Sequence, residues 1–177
     1  MIGILNRKKN VLLLMAVLVC GGGNLLMLGG LNKDVYSTLA QTNFITTVPN
    51  VIVLVLIFSQ LVRYNRISNL LITRVKLTKY LTSQLMLSMS LGLVYLGFQY
   101  ALNLWLLPVE HPARVGVIYL YLLINMVLFL FEIMVMNLIN FGMNPVFVFA
   151  VALGMNFIWH YAFVMNIISK WYVEGII

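Results

Sequence analysis

Val117-Ile-Tyr-Leu-Tyr-Leu-Leu-Ile-Asn-Met-Val-Leu-Phe-Leu-Phe-Glu-Ile-Met-Val-Met-Asn-Leu-Ile139 holds a single charged residue, Glu132. About 20 apolar residues suffice to carry a helix across the hydrocarbon layer of a bilayer, and this run is long enough. Four more apolar stretches of similar length occupy residues 11–31, 44–62, 84–107 and 145–167. Only 8% of the 177 residues are charged, 63% are hydrophobic, and the mean hydropathy is +1.02. Soluble domains carry about 25% charged residues. The chain therefore reads as an all-α polytopic membrane protein of five transmembrane helices. It forms one transmembrane domain over residues 1–177, with no length left for a soluble domain.

The charges are placed as membrane topology demands. Arg7, Lys8 and Lys9 precede the first run, and Arg63, Arg66, Arg74, Lys76 and Lys79 follow the second. Lys33, Arg114 and Lys170 fall on the opposite side. Eight cations against three orient the N-terminus to the cytoplasm and residues 169–177 outside. This pattern accounts for the net charge of +7 without invoking nucleic acid. The first run lacks an Ala-x-Ala cleavage pattern and reads as a retained span rather than a signal peptide. Pro108 and Pro112 mark an external turn, and residues 140–145 an internal hairpin, with Gly142 relaxing the backbone and Pro145 opening the next helix. Trp105, Trp159 and Trp171, with Tyr100, Tyr119, Tyr121, Tyr161 and Tyr172, are expected mainly as interfacial anchors.

The basic segment 63–79 does not project as one amphipathic helix. Arg63, Arg66 and Arg74 fall on one side, with Lys76 and Lys79 nearly opposite. A break near residues 68–73 is expected, with a short surface helix before it and the cationic base of the third span after it. Such a surface attracts anionic lipid or seats a protein partner. Two spans followed by Arg63-Tyr-Asn-Arg-Ile-Ser-Asn-Leu-Leu-Ile-Thr-Arg74 and further spans resemble the small permease subunits of bacterial type-2 ABC exporters, including those associated with bacteriocin or peptide antibiotic export and immunity. That family usually has six spans, against the five read here. The resemblance implies a plasma-membrane permease for peptide or lipid-like substrates, with a second copy or homologous permease chain beside it. It also implies a coupling helix resting on a separate ATP-binding cassette subunit. By the resemblance Arg63, Tyr64, Arg66, Ile67, Leu70, Leu71 and Arg74 carry that contact. ATP would be bound by the partner, since the chain has no P-loop of its own.

Within the spans, Glu132 is the one deeply placed acid, and an ionisable group there must face protein or water. Asn125, seven residues earlier, shares its face, whereas Asn137 at +5 does so less closely; a helix cross-link or a substrate contact follows from that pairing. His160 reads as a satisfied polar contact. Cys20, His111 and His160 show no pairing of the kind a membrane peptidase needs, and no His-Glu-x-x-His is present. No catalytic, cofactor or metal residue is therefore assigned. Gly22 with Gly29 and Gly23 with Gly30, each seven apart, mark a close-packing face or a gate, and Pro49 with Thr46 and Thr47 a kink. The alternative function is a non-transporting immunity or accessory protein that binds its target within the bilayer, with a peptidase as the weakest option.

Overall fold

The computed structural model describes residues 7–23, 35–36, 38–39, 46–66, 77–108 and 115–174. Every regular element among them is helical: α1 (Arg7–Gly23), α2 (Thr47–Arg66), α3 (Leu77–Leu106), α4 (Val115–Met136), a 3-10 turn (Asn137–Phe141), α5 (Pro145–Ile158), a π-helical segment (Trp159–Ile168) and α6 (Ser169–Glu174). Four apolar rods are long enough to cross a membrane: Thr47–Arg66, Leu77–Leu106, Val115–Phe141 and Pro145–Glu174. The molecule is an all-α polytopic membrane protein. In the first expected span, Val11–Gly22 is apolar and helical and Gly23 ends the helix; residues 24–31, including Gly29 and Gly30, lie outside the described residues.

Several boundaries move from where hydropathy places them. The third helix starts at Leu77 rather than Gln84, and the last continues to Glu174 rather than ending near Ile167. Polar residues end an apolar window but do not end a helix, because the backbone hydrogen bonds continue until a breaker or a cap intervenes. Pro49 does not kink α2. It sits in the first helical turn, where its missing N–H has no partner to lose, and the first bond of the helix runs from Asn50 N–H to Thr46 O at 3.0 Å.

The hairpin between α4 and α5 is built as its sequence indicates. Gly142 takes a left-handed φ of 85° and its N–H reaches Ile139 O at 3.1 Å, a conformation that disfavours any residue with a Cβ. Asn144 then caps α5: its Oδ1 accepts from Val146 N at 2.9 Å and Phe147 N at 3.4 Å, ahead of Pro145 in the first turn.

α1 packs on α3, and α4 lies between α3 and α5, with α2 against α3, α5 and the 3-10 turn. The larger core joins Val17, Val53, Ile57, Leu96, Ile133 and Ala152 across all five main helices. A second cluster forms at the end opposite Arg63, where Val35, Tyr36 and Leu39 cover Ile118, Tyr121, Val164, Ile168 and Tyr172. Leu12, Met15 and Val19 of α1 are exposed, as apolar side chains facing lipid are.

Candidate functional site

The interior is more polar than its envelope. Along α3, Gln84, Ser88, Gly92, Tyr95, Gln99 and Asn103 recur at intervals of three or four residues, and all are buried. At 3.6 residues per turn they fall within an arc of about 100° and form one continuous polar stripe. Tyr95 and Ser88 link it to other helices, while Asn103 Nδ2 donates to Gln99 O of its own helix at 2.7 Å. Tyr95 Oη donates to Asn50 Oδ1 of α2 at 2.8 Å. Ser88 Oγ accepts from Asn137 Nδ2 at 3.0 Å and donates back to its own helix, with Gln84 O at 2.9 Å and Leu85 O at 3.0 Å. Asn137 uses its amide a second time on Ile133 O, at 2.8 Å. Between these two links lies Gly92, where a Cβ would run into Ile133 Cδ1. Small size at this point lets α3 approach α4 closely.

Asn137 is therefore an interior residue, although its +5 offset from Glu132 gives it a different face in a regular α-helix. It opens the 3-10 turn and meets Ser88 of α3, whereas Glu132 meets Asn156 of α5; because α4 lies between those two helices, both faces are interior.

The second polar group joins α4 to α5. Asn125 Nδ2 donates to Tyr100 Oη of α3, and Asn125 Oδ1 accepts from Trp159 Nε1 at 3.0 Å. Glu132 is 1% exposed and accepts one hydrogen bond, from Asn156 Nδ2 to Oε2, at 3.3 Å. No other hydrogen bond or ion pair reaches it from the described residues. It lies nine residues from Phe141, about 14 Å along the helix. A carboxyl at such depth costs roughly 3 kcal/mol on insertion scales unless it is compensated. His160 follows Asn156 by one turn, is buried, and meets the Tyr161 ring edge-on with centroids 5.0 Å apart.

The remaining expected residues divide clearly. Arg63, Tyr64 and Arg66 are not loop residues; they form the last turn of α2, with both arginines exposed. Ile67, Leu70, Leu71 and Arg74 lie outside the described residues. Tyr80 Oη of α3 donates to Tyr64 O at 3.1 Å, fastening the basic end of α2 to the start of α3. Gly22 packs on Phe98, with an added Cβ 3.2 Å from the ring, and Gly21 does the same. Gly23 ends α1. The expected pairing of Gly22 and Gly23 with Gly29 and Gly30 lies outside the described residues. Cys20 borders the apolar core on α1. Among the described residues no group of three His, Cys, Asp or Glu is placed to hold a metal.

The aromatic residues separate into two populations. Trp105, 80% exposed, and Tyr119 and Tyr161 face outward as anchors do. Tyr121, Tyr172 and Trp159 instead turn inward: Tyr121 Oη donates to Leu39 O at 2.9 Å, Tyr172 stacks on Tyr36 with centroids 4.0 Å apart, and Trp159 holds Asn125. Sequence reasoning missed the α3 stripe, Asn50, Asn156 and the inward role of Trp159. The stripe had a signal in its spacing; Asn50 and Asn156 sit on apolar helices without one.

No family model, curated protein or solved structure matches the chain.

Proposed function

We propose that the chain is the membrane-spanning permease subunit of an ATP-driven exporter for peptide or lipid-like substrates. In this reading it lies in a bacterial plasma membrane with its basic end in the cytoplasm, beside a second permease chain. The observation that carries the proposal is the Tyr80–Tyr64 clasp. It ties the basic end of α2, with exposed Arg63 and Arg66, to the helix that bears the buried polar stripe. A push by a soluble partner on that end tilts α3 as a rigid rod, and its Gln84-to-Asn103 face shifts against α2 and α4. Polar faces that exchange partners during such a movement suit amphipathic cargo. No enzymatic role is assigned to the chain, and ATP binding belongs to the partner.

The test is copurification in mild detergent from the native host. An ATP-binding cassette protein is expected with the wild type and is lost with Arg63→Glu combined with Arg66→Glu, while thermal stability is retained. A chain that carries no such ATPase and protects a heterologous host unaided would overturn the reading in favour of an accessory or immunity protein that binds its target within the bilayer.

A further inference from the structure

Glu132 is a carboxyl in the interior of a membrane helix whose single hydrogen bond among the described residues, from the neutral Asn156 amide, is long. Its neighbours do not balance a negative charge. Among the elements packed against α4, α3 carries Lys79, Tyr80, Tyr95 and Tyr100, the π-helical segment His160 and Tyr161, and α6 Lys170, Tyr172 and Glu174, with Lys79, Lys170 and Glu174 all exposed at helix ends. The ionisable side chains of α2 are Arg63, Tyr64 and Arg66, all in its last turn. No Lys or Arg among the described residues pairs with Glu132. Structural acids in membranes are held by cations or by several donors, because one neutral donor recovers only part of the hydration lost on burial. A helix cross-link alone would also be served by glutamine.

We infer that Glu132 is an intramembrane site that takes up one positive charge, from a proton or from the ammonium group of a ligand, in the seam between α4 and α5. Asn156 orients the carboxyl through Oε2 and leaves Oε1 for the incoming charge. The assignment is independent of the exporter reading, since it concerns occupancy of the carboxyl and not transport.

The test uses the full-length protein in phosphatidylcholine nanodiscs and N,N′-dicyclohexylcarbodiimide, a reagent that partitions into the apolar layer and reacts with a carboxyl carrying its proton. The O–H adds across one C=N bond, oxygen to carbon and proton to nitrogen, and rearrangement leaves a stable N-acylurea, so the peptide gains the whole reagent mass. The Glu132 peptide is expected to be labelled in the wild type, and the label is lost in Glu132→Gln. Labelling that slows at alkaline pH but is indifferent to n-butylammonium identifies the proton as the source. Labelling that n-butylammonium slows severalfold at fixed pH identifies an ammonium group. The inference is overturned if Glu132 stays unlabelled throughout, or if a water-soluble carbodiimide modifies it as fast as the exposed Glu174. A large loss of thermal stability in Glu132→Gln also overturns it, because that loss reveals a structural ion pair.

Discussion

Gly92→Ala is the substitution for which the structure makes the sharpest energetic statement. An added Cβ meets Ile133 Cδ1 directly, with the Phe129 ring at ordinary contact distance, 3.4 Å from Cε1. The obstructing atom is the tip of a side chain, so Ile133 yields by leaving its preferred rotamer. That displacement in a close-packed core costs about 1–3 kcal/mol, offset by up to ~1 kcal/mol of helix propensity. Gly92→Ala is therefore expected to destabilise by about 1 kcal/mol. Ile133→Val removes the same methyl and by itself costs about 1 kcal/mol through the small void it leaves. In the double variant the new Cβ occupies that void, and Gly92→Ala becomes neutral or stabilising. The cycle thus carries a coupling of about 1–2 kcal/mol of favourable sign. Reversible unfolding of the four proteins in mixed micelles, titrated with dodecyl sulfate and followed by tryptophan fluorescence, measures it. Additive effects, within about 0.4 kcal/mol, would refute the close approach of α3 to α4 at this point.

Tyr95→Phe leaves the buried Asn50 Oδ1 without its donor and is expected to cost about 1 kcal/mol; Asn50→Val on top of it costs less than Asn50→Val alone, measurable in the same unfolding assay. Tyr36, outside the spans, is held by burial at a pKa raised from 10.0 to about 12, the hydrogen bond to Ser169 partly opposing the shift. The folded state thus keeps a proton that the unfolded chain releases, so the Tyr36 contribution is intact below about pH 10 and lost as pH rises toward about 12. Tyr36→Phe is expected to flatten that part of the stability profile, and superimposable profiles for the two proteins would count against the packing of Tyr36 on Tyr172.

The helical, membrane-spanning nature of the long apolar runs is legible from hydropathy because each run of apolar residues must be satisfied by lipid, and a helix satisfies its own backbone. What hydropathy cannot register is where a helix persists through polar residues, as α3 does over Leu77–Ser83. The α3 stripe is legible in another way. Gln84, Ser88, Gly92, Tyr95, Gln99 and Asn103 keep a helical spacing of three or four residues within an apolar run, and a polar residue that repeats at helical spacing inside a span marks the face turned away from lipid. Attention to ionisable residues alone passes over it. Glu132 is conspicuous, but its partner is one of many asparagines until α5 is laid beside α4. Trp159 likewise reads as an anchor from its type and changes role only through contact with Asn125.

The π-helical segment explains how one rod serves both clusters. Val148, Ala152, Asn156, His160, Val164, Ile168 and Tyr172 are buried, each four residues after the last. In a pure α-helix four residues overshoot one turn by about 40°, so a stripe of that period would wind by roughly 240° over this length and carry Tyr172 to the lipid side. Wider i→i+5 turns make four residues undershoot instead. Passing from α to π near Trp159 and back near Ser169 cancels much of the drift. Side chains reinforce the wide turns: Asn166 Nδ2 donates to Tyr161 O at 2.7 Å and Ser169 Oγ to Val164 O at 2.9 Å, each reaching five residues back. Ser169 also accepts from Tyr36. The same face of one helix can therefore present Asn156 to Glu132 at depth and Tyr172 to Tyr36 at the end. A regular α-helix of this sequence would have to give up one of these contacts to keep the other.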